Sequence, residues 1–288
     1  MLPSILPHRE ITIEANPEQL TEKLAHDLAS IGINRISIGI QSLNDSELKI
    51  LGRTHNSAQA KKAVHNAYQA GIQNITIDLM YELPTQTLNS WQKTLDQLQE
   101  LPITHLSLYN LTIEPDTAFY RKKEQLQRQI APSETCKEML DLAIEKLSAL
   151  GLQRYEISAF AKPGYEAIHN TGYWTGEPFI GLGPSAFSFT NGERYRNACN
   201  FPKYLNSKTR IDFREKLPYP DNLNELLAIH LRLLKGVNIS AFEERWGKLP
   251  TKTHRTLTEN TYIDLKENHA RLSSQGLLFY DTIATEII

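Results

Sequence analysis

The stretch Asn34-Arg35-Ile36-Ser37-Ile38-Gly39-Ile40-Gln41-Ser42 decides the fold. Ile36, Ile38 and Ile40 alternate with the small residues Ser37 and Gly39, which predicts a buried strand covered on both faces, as in a parallel sheet. The run stops on the polar Gln41, directly before a helix-start signal. The same pattern recurs on either side. Glu10–Ala15 alternates as a strand and carries Glu14 near its end; Asn74–Met80 carries Asp78; Thr104–Asn110 ends on Asn110. Sites in α/β proteins gather at the carboxyl ends of parallel strands. Glu14, Gln41, Asp78 and Asn110 are therefore expected to form the floor of one pocket.

Between these strands lie helix signals. Asn16-Pro17-Glu18-Gln19 predicts a capped start, with Leu20, Leu24, Leu28 and Ile31 on the buried face and Gly32 at the exit. In Leu43-Asn44-Asp45-Ser46-Glu47-Leu48, Asn44 is expected to cap and Glu47 to reach back to it. Further helices are expected over 57–70, around Trp91, Leu95 and Leu98, and over 133–150. Arg154–Ile157 is the candidate fifth strand, which gives a parallel sheet with right-handed crossovers. Residues 164–204, rich in Gly, Pro and aromatics, are expected to be irregular. From about Asp221 the chain turns helical and is expected to finish as a hairpin over 272–280. The expected division is a barrel core with its extension over 1–204 and a small helical, winged-helix-like domain over 205–288.

Composition bounds the function. The chain has 288 residues, a net charge of -2 and 22% charged residues, so no overall field favours nucleic acid. Residues 221–288 hold nine acidic residues against eight Lys and Arg, without the surplus of a DNA reader. No apolar run reaches the roughly 18 residues that span a bilayer. No signal-peptide pattern opens the chain, and the expected location is cytoplasmic. Its two cysteines, Cys136 and Cys199, form no ligand pair by spacing.

Glu14, Gln41, Arg53 and Asp78 make a polar set suited to a small zwitterion that carries a ribose. Carboxylates pair an ammonium or ribose hydroxyls, a guanidinium forks onto a carboxylate, and an amide both donates and accepts. Each of them taken singly also suits a helix cap or a loop pair.

Several stretches resemble the anaerobic coproporphyrinogen III oxidase-like family of radical S-adenosylmethionine (SAM) proteins. They are Ile13-Glu14-Ala15-Asn16-Pro17, residues 32–42, Leu51-Gly52-Arg53, residues 77–87, residues 106–115 and residues 154–158. His169-Asn170-Thr171-Gly172-Tyr173-Trp174 is similar to the His-Asn-x-x-Tyr-Trp motif of that family's HemW-like haem-chaperone branch. The resemblance covers nearly the whole chain. It implies an α/β fold built on an incomplete (β/α) barrel, with Glu14, Gln41, Arg53 and Asp78 binding SAM. It also implies haem contact at His169, Tyr173 and Trp174, with His8, His55 and His105 the next ligand candidates, and transfer of haem or porphyrin to acceptor proteins.

The departures are as specific as the matches. The family's Cys-x-x-x-Cys-x-x-Cys loop, which holds a [4Fe-4S] cluster, and the Gly-rich turn after it do not occur in this sequence. The expectation is a chain without its own cluster and with weakened SAM binding: a truncated member, one half of a split protein that pairs with an N-terminal fragment, a mis-called start, or an inactive remnant. Glu82 stands where the family usually has Gly; Ser185 and Phe187 replace a family Gly and His. The oxidase of porphyrin biosynthesis is the alternative activity, and the chaperone-type motif favours haem transfer over it.

Overall fold

The computed structural model describes residues 9–117, 119–206 and 210–288. The chain forms two compact units, parting between Glu166 and Ala167 rather than after residue 204.

The first unit has strands β1 (Thr12–Ala15), β2 (Arg35–Gln41), β3 (Asn74–Tyr81), β4 (His105–Asn110), β5 (Gln153–Arg154) and β6 (Ala159–Ala161). Its helices are α1 (Glu22–Ser30), α2 (Asp45–Ile50), α3 (Ser57–Gln69), α4 (Leu88–Asp96), α5 (Lys123–Gln127) and α6 (Ser133–Ala149). The sheet order is β1-β2-β3-β4-β6-β5, and β1 to β4 run parallel. The parallel rule ends there. β6 lies antiparallel to β4, and β5 antiparallel to β6, so β5 keeps the direction of β1 to β4 but is separated from them by β6. Of the candidate strand Arg154–Ile157, only Arg154 lies in β5. A parallel return needs a crossover of a dozen or more residues. The chain instead reverses between Arg154 and Ala159, where Glu156 Oε1 accepts from Ser158 N at 2.9 Å.

One face of the sheet is apolar. Ile36, Ile38 and Ile40, Ile75, Ile77 and Leu79, and Leu106 and Leu108 pack with α3, α4 and α6 in one core. Trp91 is wholly buried there, and its Nε1 donates to Met139 O at 2.8 Å. Each such fully buried large side chain contributes roughly 1.5–3 kcal/mol. The opposite face corrects the expectation of a strand covered on both sides, since Ser37, Gly39 and Gln41 are only half-buried. Registers align Glu14 with Ser37, Ser37 with Thr76, Thr76 with His105, and Asp78 with Ser107, so this face carries a polar band from β1 to β4.

Two helix starts differ from expectation. α1 is capped by Thr21, whose Oγ1 accepts from Leu24 N at 3.2 Å. Asn16 does not cap it, because Asn16–Leu20 closes as a turn and the Asn16 side chain is held by Arg53. Ile31 is exposed, and Leu20, Ala25 and Leu28 are the buried residues. At α2, Asn44 Oδ1 accepts from Ser46 N at 3.0 Å as expected of a cap. Glu47 turns inward instead of back to Asn44, whose backbone N–H is taken by Ser42 Oγ at 3.0 Å.

The second unit begins with α7 (Ile168–Trp174) and an antiparallel meander of β7 (Phe187–Thr190), β8 (Glu193–Asn197) and, after α8 (Phe201–Asn206), β9 (Ile211–Glu215). The stretch expected to be irregular therefore holds a helix and a hairpin, and β9 ties it to the residues beyond 204. Next come α9 (Asp221–His230), β10 (Val237–Asn238), α10 (Ile239–Trp246), α11 (Thr251–Glu259), β11 (Ile263–Lys266), β12 (His269–Leu272) and α12 (Tyr280–Ile287). Three helices followed by a hairpin make the winged-helix-like arrangement. The hairpin falls earlier than expected: Glu267 and Asn268, both at positive φ, form its two-residue turn. The chain ends in a helix.

Candidate functional site

β2 is the spine of the site. Its register against β3 slips between Ile38 and Gln41, and Gln41 stands at φ 63°. Ser42 N bonds back to Ile40 O at 2.8 Å, so the strand ends in a tight turn. The Gln41 amide folds back over Gly39, where a Cβ would meet Gln41 Nε2 at 3.0 Å and Arg53 Nη2 at 3.1 Å. Only glycine leaves both tips where they are. Arg53 is held by the exit of α2: Gly52 takes φ 68°, and Arg53 N bonds Leu48 O at 2.9 Å. Its Nη2 donates to Gly39 O at 2.7 Å and to Asn16 Oδ1 at 3.3 Å. Its Nε is buried without a hydrogen-bond partner among the described residues. His55 anchors the same loop, with Nε2 3.1 Å from Ile40 O and Nδ1 3.3 Å from Glu18.

Glu14 and Asp78 flank β2 from the neighbouring strands. Glu14 is exposed beside Ser37. Asp78 is half-buried and accepts from Ser37 Oγ at 3.4 Å. Burial pushes its carboxyl up to about 6, against the hydrogen bond from Ser107, and the charge of Glu14 adds to the rise. The four residues expected to bind SAM thus gather along one polar strand face. Asn110 stands apart from them: it is exposed and hydrogen-bonded to Glu82.

Deeper on that face lie Arg35, which the sequence reading overlooked, and His105, which it named only as a further haem-ligand candidate. Arg35 is 5% exposed; its Nη2 donates to Thr76 Oγ1 at 2.6 Å, and its Nε lies 3.8 Å from Glu10. His105 is fully buried against Tyr155 OH at 2.9 Å, and burial, with the charge of Arg35, pushes it down to about 3. The signal was available: Arg35, Ser37, Gly39 and Gln41 share one period-2 face.

The two family glycine positions named above keep a glycine-like backbone without glycine. Glu82 stands at φ 59° and Ser185 at φ 63°, a region that disfavours residues with a Cβ.

The second cluster lies on α7. His169 is exposed, and its Nε2 sits 2.7 Å from Tyr173 OH, with the rings edge to face at 4.5 Å. Helical spacing puts residues i and i+4 on one side. Trp174, one position on, turns away to lie under the Arg232 guanidinium, 4.3 Å from the ring centre. Tyr173 meets Phe179 edge to face at 4.5 Å. His55 and His105 are buried and occupied, and His8 lies outside the described residues.

The fit to an iron–sulfur cluster is poor. Cys136 is buried on α6, its Sγ 3.3 Å from Ala131 O, and Cys199 is exposed in the other unit. No three His, Cys, Asp or Glu residues group as metal ligands among the described residues. The donor set around β2 fits SAM better: a half-buried guanidinium with an unbonded Nε, an amide over a glycine, and two carboxylates.

A radical SAM superfamily model matches residues 2–98, and a HemN C-terminal domain model matches residues 217–279. The heme chaperone HemW of Escherichia coli is 41% identical over 281 residues, covering 95% of this chain and 73% of that protein. The heme chaperone HemW of Bacillus subtilis is 31% identical over 277 residues, 93% of this chain and 73% of that protein. The solved coproporphyrinogen III oxidase (HemN) from Escherichia coli superposes with a TM-score of 0.82 at 20% identity, covering 96% of this chain and 69% of that one, which speaks for the fold. Among the described residues no helix is long and apolar enough to cross a membrane. With that identity over nearly its whole length, the chain belongs to the HemW family of radical SAM proteins.

Proposed function

We propose that this chain is a haem carrier of the chaperone type, which binds haem in its second unit through His169 and passes it to acceptor proteins. The observation that carries the reading is the exposed imidazole of His169 held by Tyr173 OH at 2.7 Å. Imidazole is a common axial ligand for haem iron, and a hydrogen bond at one ring nitrogen fixes the ring's orientation and tautomer. The relatives named heme chaperone HemW support the same reading. The likeness to the oxidase HemN rests on fold and does not favour turnover of a porphyrinogen here.

The first unit would hold SAM. Arg53 would fork onto its carboxylate, Glu14 would take the ammonium, and Gln41 and Asp78 would take the ribose hydroxyls. In this family SAM supplies radical chemistry together with a cluster. The residues of this chain do not fit that cluster, so they bind and orient SAM and move no electron to it.

Haem titration tests the proposal. The Soret band should shift on binding, and His169→Ala should abolish the shift with an unchanged far-UV spectrum. An unaltered titration in the variant would overturn the assignment of His169, and no binding by either protein would leave the inactive-remnant reading.

A further inference from the structure

Behind Tyr173 the second unit encloses a cavity of about 270 Å³. Its walls are aromatic and aliphatic, among them Trp174, Phe189, Leu217 and Ile229. Gly176 shapes one side: a Cβ there would stand 2.5 Å from Leu226 Cδ1. Tyr173 is both a wall of the cavity and the partner of His169, so the imidazole and the cavity are joined by one side chain.

Two features decide what enters. The volume lies just below the roughly 300–1,000 Å³ of pockets that engulf a whole drug-sized ligand, so the cavity takes part of a larger flat molecule. The charged groups lining it are Glu177, Glu215 and Glu225 against Arg194 alone. Arg194 is already bonded to Glu215 at 2.5 Å and Glu225 at 2.7 Å. Glu177 is bonded to Arg245 at 2.9 Å, so the charges of the lining are already paired. The lining offers an anionic group no cation to replace water, while its apolar walls admit an apolar one.

From this we infer that the cavity receives the apolar, vinyl-bearing edge of the porphyrin while the propionate edge faces outward. The inference rests on the haem reading above. It makes binding of the ring partly independent of iron, because the edge is held by the cavity and the metal by His169.

Metal-free protoporphyrin, followed by its fluorescence, separates the two. His169→Ala should bind it as the unaltered protein does, while losing the haem Soret shift. Ile229→Trp, which fills the cavity, should weaken metal-free binding by about tenfold or more. Leu217→Trp fills it from another wall and serves if the first variant does not fold. Phe189→Ala, which enlarges the cavity, should bind no more weakly. A porphyrin with carboxylates on all four edges should bind poorly. Equal metal-free binding by the filled and unaltered proteins would overturn the inference, as would equal binding of the all-carboxylate porphyrin. A Soret shift that survives in His169→Ala would instead overturn the axial assignment and leave the cavity result readable.

Discussion

Asp78 and His105 stand on the same face of the first unit's sheet, and burial drives their protons in opposite directions. Asp78 has a folded pKa of about 6 against an ordinary 3.8, so its contribution to stability is full below pH 3.8 and is lost as pH rises through 6. His105, at about 3 against an ordinary 6.5, contributes fully above pH 6.5 and loses that contribution as pH falls toward 3. Between about pH 4 and 6 the two slopes oppose each other. Asp78→Asn removes the falling limb. Urea unfolding should show the variant gaining on the order of 2 kcal/mol over the unaltered protein at pH 7 and nothing below pH 4. A pH-independent difference would mean that Asp78 does not titrate as argued. Gly39 makes a separate prediction. Gly39→Ala should leave the fold intact and lower SAM affinity by about tenfold in calorimetry, because its Cβ displaces the Gln41 and Arg53 tips.

Among the elements, the buried carboxylate of Glu47 ties three segments together. It accepts from Ser42 Oγ at 2.6 Å at the end of β2, from Ser90 Oγ at 2.9 Å on α4, and from Gln86 Nε2 at 3.2 Å in the turn before α4. Ser42 follows the positive-φ Gln41, so this hub holds the strained strand end in place. Glu47→Ala strands two buried donors, on Ser42 and Gln86, at roughly 1–3 kcal/mol each, while Ser90 Oγ keeps Thr87 O at 3.0 Å. A loss of about 2 kcal/mol or more in chemical unfolding is expected. Glu47→Gln keeps an acceptor oxygen and should lose less. The sequence showed Glu47 at the right place for a capping box, and local spacing could not reveal that Ser90, 43 residues away, claims it. The strands and most helix bounds were legible because period 2 and period 3.6 are local properties. The antiparallel β6 was not, since three residues, Ala159–Ala161, carry no period long enough to read. The polar face of β2 was half-legible: Ser37 and Gly39 read as space-savers until Thr76 and Asp78 appeared beside them.

At the scale of the whole molecule, the division after Glu166 changes what counts as one folding unit. β9 pairs with β8, and β8 with β7, so a cut after residue 204 severs one sheet. A fragment of residues 167–288 should melt in one cooperative transition by circular dichroism, whereas 205–288 should melt more broadly and at lower temperature. Equal melting of the two would show that the β7–β8 hairpin adds nothing to the unit. The gathering of Glu14, Gln41, Arg53 and Asp78, the set proposed to bind SAM, was legible as strand ends plus a family pattern. The α7 cluster was legible only as a motif, because His169 and Tyr173 become neighbours only once the segment is known to be a helix.

The Glu47 hub also bears on time. Gln41 and Arg53 are already gathered over Gly39, and the segments that carry them are clamped from below, so a ligand arriving at this rim has no loop to reorganise. Its association should be a single exponential whose rate rises linearly with ligand concentration, without the plateau of a slow rearrangement. Loosening the hub would introduce that plateau before it abolished binding.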